Sequence, residues 1–289
     1  MRIITSPEEM QATSRALRCE GKRLGLVPTM GALHEGHLSL VRMARSQAQV
    51  VAASIFVNPL QFAPGEDFER YPRDWERDRK ILETERVDLL FAPTAAAMYP
   101  AAQATYITVE GLSDRLCGRS RPGHFRGVAT VVAKLLNIVQ PSLAFFGQKD
   151  ATQVAIIRRM VRELNFESGI VIGPTVRDPD GLALSSRNAY LDAAQRKSAS
   201  VLYRALTRIQ TLADQGESRA ERLKREGLVV LAQEPSVRLD YLEIVDQETL
   251  EPLESIGRGA LLAIAAYIGP SRLIDNIVLH GPGIAARPH

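Results

Sequence analysis

Two histidines stand three residues apart in the run Thr29-Met30-Gly31-Ala32-Leu33-His34-Glu35-Gly36-His37, and at that spacing on a helical turn both imidazoles lie on one face. The run joins an apolar strand, Leu24–Val27, to an amphipathic helix running on from His37. Such a turn exposes backbone N–H groups at a helix N-terminus, whose partial positive charge suits phosphate. Gly31 and Gly36 let the backbone approach a ligand closely. Two donors beside a phosphate nest point to stabilisation of charge in a transition state. The alternative is a His pair bound to zinc or exposed on a surface turn, but neither an HExxH order nor a cysteine cluster supports zinc.

Further along, Lys149 follows Gly147 and Gln148 just past a strand-like run, Leu143–Phe146. A lysine there is a mobile point charge that can follow a leaving group. It could equally be a solvated lysine, although a cation sits poorly against the dipole of the helix that follows, and a phosphate would remove that conflict. Ser185-Ser186-Arg187 comes after the polar turn Asp178-Pro179-Asp180-Gly181. Two hydroxyls and a guanidinium make a fork for phosphate oxygens, and the same residues could instead be a helix cap.

The elements that must position these groups alternate between strand-like and helical runs. The strand-like runs are Leu24–Val27, Val50–Val57, Val87–Ala92, Tyr106–Val109, Leu143–Phe146 and Ile170–Ile172. Helical periodicity runs from His37 and over Trp75–Glu85, Val128–Val139 and Asp150–Leu164. The pattern predicts an α/β fold, a Rossmann-like parallel sheet with helices on both faces, with ligands bound beyond the carboxyl ends of the strands. After residue 175 it changes to two helical stretches, Ala193–Gln215 and Ser218–Gln233, and three strand-like runs, Val237–Val245, Ala260–Tyr267 and Arg272–Leu279. We read residues 1–175 as a nucleotide- and substrate-binding domain and 176–289 as a smaller C-terminal α+β lid domain with an antiparallel sheet. The tail from Gly281 is expected to be loose.

A chain of 289 residues, 45% hydrophobic and 24% charged, can bury a sizeable core. Its net charge of +3, without a dense basic run, argues against nucleic acid and leaves a small anionic substrate as the better fit. Cys19 and Cys117 form no CxxC pattern, which fits a reducing cytoplasm. Acidic residues stand where a signal peptide would have its apolar core, and no apolar run is long enough to span a bilayer. A cytoplasmic protein without a membrane partner is the expectation.

The motif Pro28–His37 resembles the signature of the pantothenate synthetase family, the pantoate–β-alanine ligases of the HxGH nucleotidyltransferase superfamily. Four further segments agree in order and spacing: Phe56–Phe62, Arg121–Val128, Phe146–Asp150 and Leu184–Asn188. The resemblance covers essentially the whole chain. It implies condensation of (R)-pantoate with β-alanine at the expense of ATP, through a pantoyl-adenylate, with Mg²⁺ accompanying ATP and a homodimeric assembly. It makes His37 the proton donor, with His34 beside it stabilising phosphate charge and Lys149 following the pyrophosphate. The ATP site it implies comprises Met30, Gly31, His34, Gly36, His37, Gly147, Gln148, Lys149, Asp150, Val176, Leu184, Ser185, Ser186 and Arg187, the last three forming the second nucleotide signature at the start of the lid.

For pantoate and β-alanine the resemblance implies Gln61, Gln153, Met30 and Asn58. Neutral amides hold hydroxyls and a carboxylate without dulling the nucleophile. Val131 and Val132 could pack against the gem-dimethyl group of pantoate or serve as helix core. One departure stands out: relatives can carry adjacent aspartates after Tyr71-Pro72-Arg73, whereas here Asp74-Trp75-Glu76-Arg77-Asp78 leaves only Asp78 as a candidate Mg²⁺ ligand. Gly65–Tyr71 could form a flap that excludes water from the adenylate. Among rivals, a nucleotidyltransferase that keeps AMP in its product has no use for the Gln61 and Gln153 pair. A non-catalytic nucleotide-binding protein would have lost His34, His37 or Lys149, and an aminoacyl-tRNA synthetase needs a longer chain and a basic face.

Overall fold

The computed structural model describes residues 1–101, 103–257 and 259–280; the tail from Gly281 lies outside them. The chain runs through β1 (Arg2–Ile4), α1 (Pro7–Cys19), β2 (Leu24–Thr29), α2 (Glu35–Gln47), β3 (Val50–Ile55), α3 (Trp75–Thr84) and β4 (Leu89–Phe91). There follow α4 (Ala95–Met98), α5 (Cys117–Ser120), α6 (His124–Val139), β5 (Leu143–Gly147), α7 (Ala151–Glu163) and β6 (Gly169–Gly173). The last part holds α8 (Ala193–Ala199), α9 (Val201–Asp214), α10 (Ala220–Leu231), β7 (Val237–Val245), β8 (Ala260–Ile268) and β9 (Ser271–Leu279).

Six strands form one parallel sheet in the order β1-β4-β3-β2-β5-β6. Because successive strand residues face opposite ways, a strand buried along its whole length must be covered on both sides. Leu24 to Val27 of β2 are all buried. On one face Val27, Val51, Ala53, Leu90 and Phe145 join Leu40, Val41 and Ala44 of α2 and Leu82 of α3 in a single cluster. The alternate residues Leu26, Ala52 and Ala144 are equally buried, on the face that α1 and α6 cover at β2. The chain divides into two compact units, one of 1–114, 121–148 and 156–174, the other of 115–120, 149–155 and the chain from Thr175 on. The second unit thus takes in Lys149 and the start of α7, which the sequence pattern groups with the first.

In the second unit β7, β8 and β9 form an antiparallel sheet in that order, as the short links predict. Leu202, Leu206 and Ile209 of α9 and Leu223 of α10 pack with Leu242, Leu262 and Ile264 of the sheet. The helical stretch Ala193–Gln215 is two helices parted at Ser200.

Two departures from the sequence reading concern the first sheet. The run Tyr106–Val109 is not a strand; the Ile107 amide donates to Thr130 Oγ1 (3.0 Å) and the Val109 amide to Ser113 Oγ (3.3 Å), so side-chain hydroxyls take bonds that a ladder would use. The edge beside β4 belongs instead to β1, with Arg2–Ile4 paired to Leu89–Phe91. The following helix α1 is capped by Ser6, which accepts from the Glu9 amide, with Pro7 in its first turn and Glu8 and Glu9 behind it. Cys19 is exposed at the end of α1, and Cys117 is buried with its Sγ 3.1 Å from the Tyr241 hydroxyl. Among the described residues no helix is long and apolar enough to cross a membrane.

Candidate active site

In the first unit the site is built on the turn between β2 and α2. Thr29 Oγ1 donates to Ser54 O (2.6 Å) and accepts from the Gly31 amide (3.1 Å), closing the turn at the end of the strand. Gly31 has φ +83°, and a Cβ there would lie 3.0 Å from Asp78 Oδ2, so glycine is needed for both conformation and space. Asp78, only 1% exposed, accepts from the Ala32 amide (2.7 Å) and the Leu33 amide (2.9 Å), with the Arg77 guanidinium at 3.3 Å. Both its oxygens are engaged, which makes it the anchor of the histidine loop. Among the described residues no group of three His, Cys, Asp or Glu side chains is arranged to hold a metal ion.

The helix begins at Glu35, two residues before the sequence pattern places it, because His34 is its N-cap. His34 Nδ1 accepts from the Gly36 amide (3.2 Å) and His37 Nδ1 accepts from the His34 amide (3.3 Å). With both Nδ1 atoms accepting, each neutral ring carries its proton on Nε2. The ring centroids are 4.1 Å apart. The pair therefore presents two Nε2–H donors at the N-terminus of α2, where the helix dipole favours an anion.

The same unit carries the Pro59–Gln61 turn, capped by Asn58, whose Oδ1 accepts from the Leu60 amide (3.2 Å) and the Tyr99 hydroxyl (2.7 Å). Burial pushes the Tyr99 phenol well above its usual range, which keeps it a donor. Asn58 is 1% exposed, and its amide donates to Gly127 O (3.1 Å) and Gln61 Oε1 (3.0 Å). Its capacity is filled by protein, and what it does here is orient Gln61. Gln61 Nε2 is thereby directed at Met30 Sδ, 2.8 Å away, so Met30 and Gln61 are brought together. Val131 and Val132 are buried in α6. Among the described residues, a Cβ added to Gly147 would meet nothing within 4 Å.

In the second unit, Lys149 lies in a single turn, Gln148–Asp150, between β5 and α7, and its Nζ is 3.7 Å from Asp150 Oδ1. Asn276 of β9 donates to the Lys149 carbonyl (2.8 Å). Gln153 follows on α7, half-buried. Val176 and Leu184 meet through the Leu184 amide and the Val176 carbonyl (3.0 Å), beside an Arg177–Ala183 bridge. Arg177 is paired by both nitrogens with the buried Asp275. Ser185 caps the short helix Ser186–Tyr190, accepting from the Arg187 amide (3.3 Å), so the capping role is realised; Ser186 and Arg187 are half-buried. Sequence reasoning misses the anchoring by Asp78, Tyr99 and Asn276, whose partners lie from 41 to 127 residues away in the chain.

The sequence model of the pantoate-beta-alanine ligase family matches residues 2–278. The pantothenate synthetase of Koribacter versatilis is 58% identical over 288 residues, 100% of this chain and 99% of its own length. The crystal structure of pantothenate synthetase from Thermus thermophilus superposes with a TM-score of 0.91 at 50% identity, covering 96% of this chain and 99% of that one. The pantoate-beta-alanine ligase of Francisella tularensis, complexed with beta-gamma ATP and beta-alanine, superposes with a TM-score of 0.80 at 34% identity, covering 96% and 97%.

Proposed function

The chain belongs to the pantoate–β-alanine ligase family, whose reaction is the ATP-dependent condensation of pantoate with β-alanine, and we propose that it runs this reaction through a pantoyl-adenylate formed at the histidine turn. A carboxylate oxygen of pantoate attacks the α-phosphorus of ATP, the bond to the β-phosphate oxygen breaks, and pyrophosphate leaves. The β-alanine amine then attacks the acyl carbon, loses a proton, and displaces AMP. Negative charge builds on the α-phosphoryl oxygens and the leaving pyrophosphate in the first step, and fixed donors lower that barrier most.

The observation that carries this reading is the pair of Nε2–H groups of His34 and His37, set by main-chain donors at both Nδ1 atoms. His37 donates its Nε2–H as a hydrogen bond to the phosphoryl oxygens, and His34 beside it stabilises phosphate charge. Lys149 supplies a mobile cation for pyrophosphate, and Ser185, Ser186 and Arg187 bind phosphate oxygens. The backbone around Gly31, Gly36, Gly147, Gln148 and Asp150 lies along the nucleotide, with Val176 and Leu184 against adenine. Gln61, Gln153 and Met30 take pantoate, with Asn58 orienting Gln61. Mg²⁺ would neutralise the phosphates; with Asp78 committed to two amides, it would be held mainly by the nucleotide's own phosphates and by water. The chain acts as a cytoplasmic homodimer whose part from residue 176 closes over the adenylate as a lid.

Exchange of labelled pyrophosphate into ATP, measured with Mg²⁺ and without β-alanine, isolates the first step. Exchange that requires pantoate is the expected result. Exchange without pantoate, or none in a folded, ATP-binding protein, would overturn the adenylate route.

A further inference from the structure

We infer that Arg121, just before α6, and His124, its first residue, are positioning residues that set Gln61 for pantoate; this rests on the assignment of Gln61 to pantoate above. His124 Nδ1 is 2.8 Å from the Gln61 main-chain carbonyl oxygen, Arg121 Nη2 is 3.3 Å from the same oxygen, and Arg121 Nη1 is 3.0 Å from His124 Nε2. A guanidinium can only donate, so Nε2 accepts, and Nδ1 carries the proton and donates to Gln61. The ring is thereby fixed as the neutral Nδ1–H tautomer, gripping the Gln61 carbonyl on one edge and Arg121 on the other.

The helix touches the turn's main chain as well. A Cβ on Gly127, one turn after His124, would fall 2.2 Å from Leu60 O and 2.6 Å from the Gln61 amide nitrogen. Only a glycine lets α6 come so close. Asn58 bridges the remaining gap by donating to both Gly127 O and Gln61 Oε1. Main chain and side-chain amide of Gln61 are thus both referenced to the first turn of α6.

Arg121 has a second partner. Its Nε and Nη2 reach the two carboxylate oxygens of Glu66 at 2.8 and 2.6 Å, with both side chains mostly buried. Glu66 lies in the segment Gly65–Tyr71, and a fork-to-fork pair of this kind fixes direction as well as distance. One guanidinium therefore sets the Gln61 carbonyl, the His124 ring and the acidic segment together. Loosening it shifts the donor offered to pantoate and leaves the nucleotide groups where they are.

Steady-state kinetics of the full chain test this, with each variant's thermal melting recorded. His124→Gln keeps an acceptor for Arg121 and loses the Nδ1 donor, whereas His124→Asn keeps a donor near Nδ1. His124→Gln should raise the pantoate KM about tenfold, leave the ATP KM within about twofold, and add nothing further in a Gln61→Ala background. His124→Asn should recover most of the loss. If His124→Gln does not fold, Arg121→Lys, which retains charge but not the fork, should show the same selective rise. Equal rises in both KM values, an unchanged pantoate KM, or a loss that multiplies in full with Gln61→Ala would overturn the proposal. A Gln61→Ala chain with normal pantoate KM would overturn the assignment of Gln61, and this proposal with it.

Discussion

The histidine pair and Lys149 are assigned to charge that develops in one step, on the α-phosphoryl oxygens and on the pyrophosphate respectively, and the chain holds them in opposite ways. Each histidine ring is bonded through Nδ1 to a main-chain amide, and the loop beneath is pinned by Thr29 and the buried Asp78. Lys149 is held at its carbonyl by Asn276, while its ammonium lies beyond hydrogen-bond length from Asp150 at the end of a long flexible stem. The difference follows the chemistry. Charge on the α-phosphoryl oxygens develops at one place and rewards donors already in position. The pyrophosphate departs, and a tethered cation can travel with it.

The largest effect should come from deleting either kind of group. His37→Ala and Lys149→Ala should each lower pantoate-dependent pyrophosphate exchange by about 10²–10³-fold, with thermal melting little changed. The comparison sharpens with conservative variants: Lys149→Arg should retain activity within about tenfold, since a mobile cation tolerates a change of shape. His37→Asn can still accept from the His34 amide but has no Nε2 donor, and it should be as slow as His37→Ala in the same exchange assay.

Next in size is the footing of the rigid pair. Asp78→Ala leaves two buried amides without acceptors and should cost about 2–4 kcal/mol in urea unfolding, with a matching loss of exchange. Gly31→Ala, forced to φ +83°, should cost about 1–2 kcal/mol. Asn276→Ala removes one hydrogen bond to the Lys149 carbonyl and should cost about 1 kcal/mol. If Asn276→Ala slowed exchange as much as Asp78→Ala, Lys149 would be as rigidly placed as the histidines and the contrast would fail.

The smallest effect concerns acid. Burial would raise the Glu66 carboxyl, yet the hydrogen bonds and charge of Arg121 outweigh it and hold the group below its usual range. Its stabilising contribution is complete above the ordinary carboxylate pKa, about 4.3, and is lost as pH falls through the lower folded value. Urea midpoints of the parent chain and Glu66→Gln should differ at neutral pH and converge in acid.

Much of this arrangement is legible in the residues. Buried apolar runs locate β2, β3 and β5, and the glycine-histidine turn between β2 and α2 marks the candidate site. What escapes the sequence depends on partners far along the chain. Tyr106–Val109 has strand-like side chains, but whether its amides meet a ladder or the hydroxyls of Thr130 and Ser113 is decided by packing. β1 is three residues long, too short for periodicity to speak, although Ser6-Pro7-Glu8-Glu9 carries the signs of a helix start. Asp78 reads as a candidate for Mg²⁺ because carboxylates suit metals; only the fold brings the Ala32 and Leu33 amides onto it. Lys149 falls within the second unit although β5 just before it belongs to the first, a division that no local pattern announces.

The unequal exposure of the two thiols has a practical use. Cys19 lies open at the end of α1, and Cys117 is buried against Tyr241. An alkylating reagent should therefore modify one sulfur in the native chain and two in the denatured chain. The ratio would count folded molecules in every variant proposed above, and a fluorophore placed on Cys19 would label the protein at a single known point without engineering.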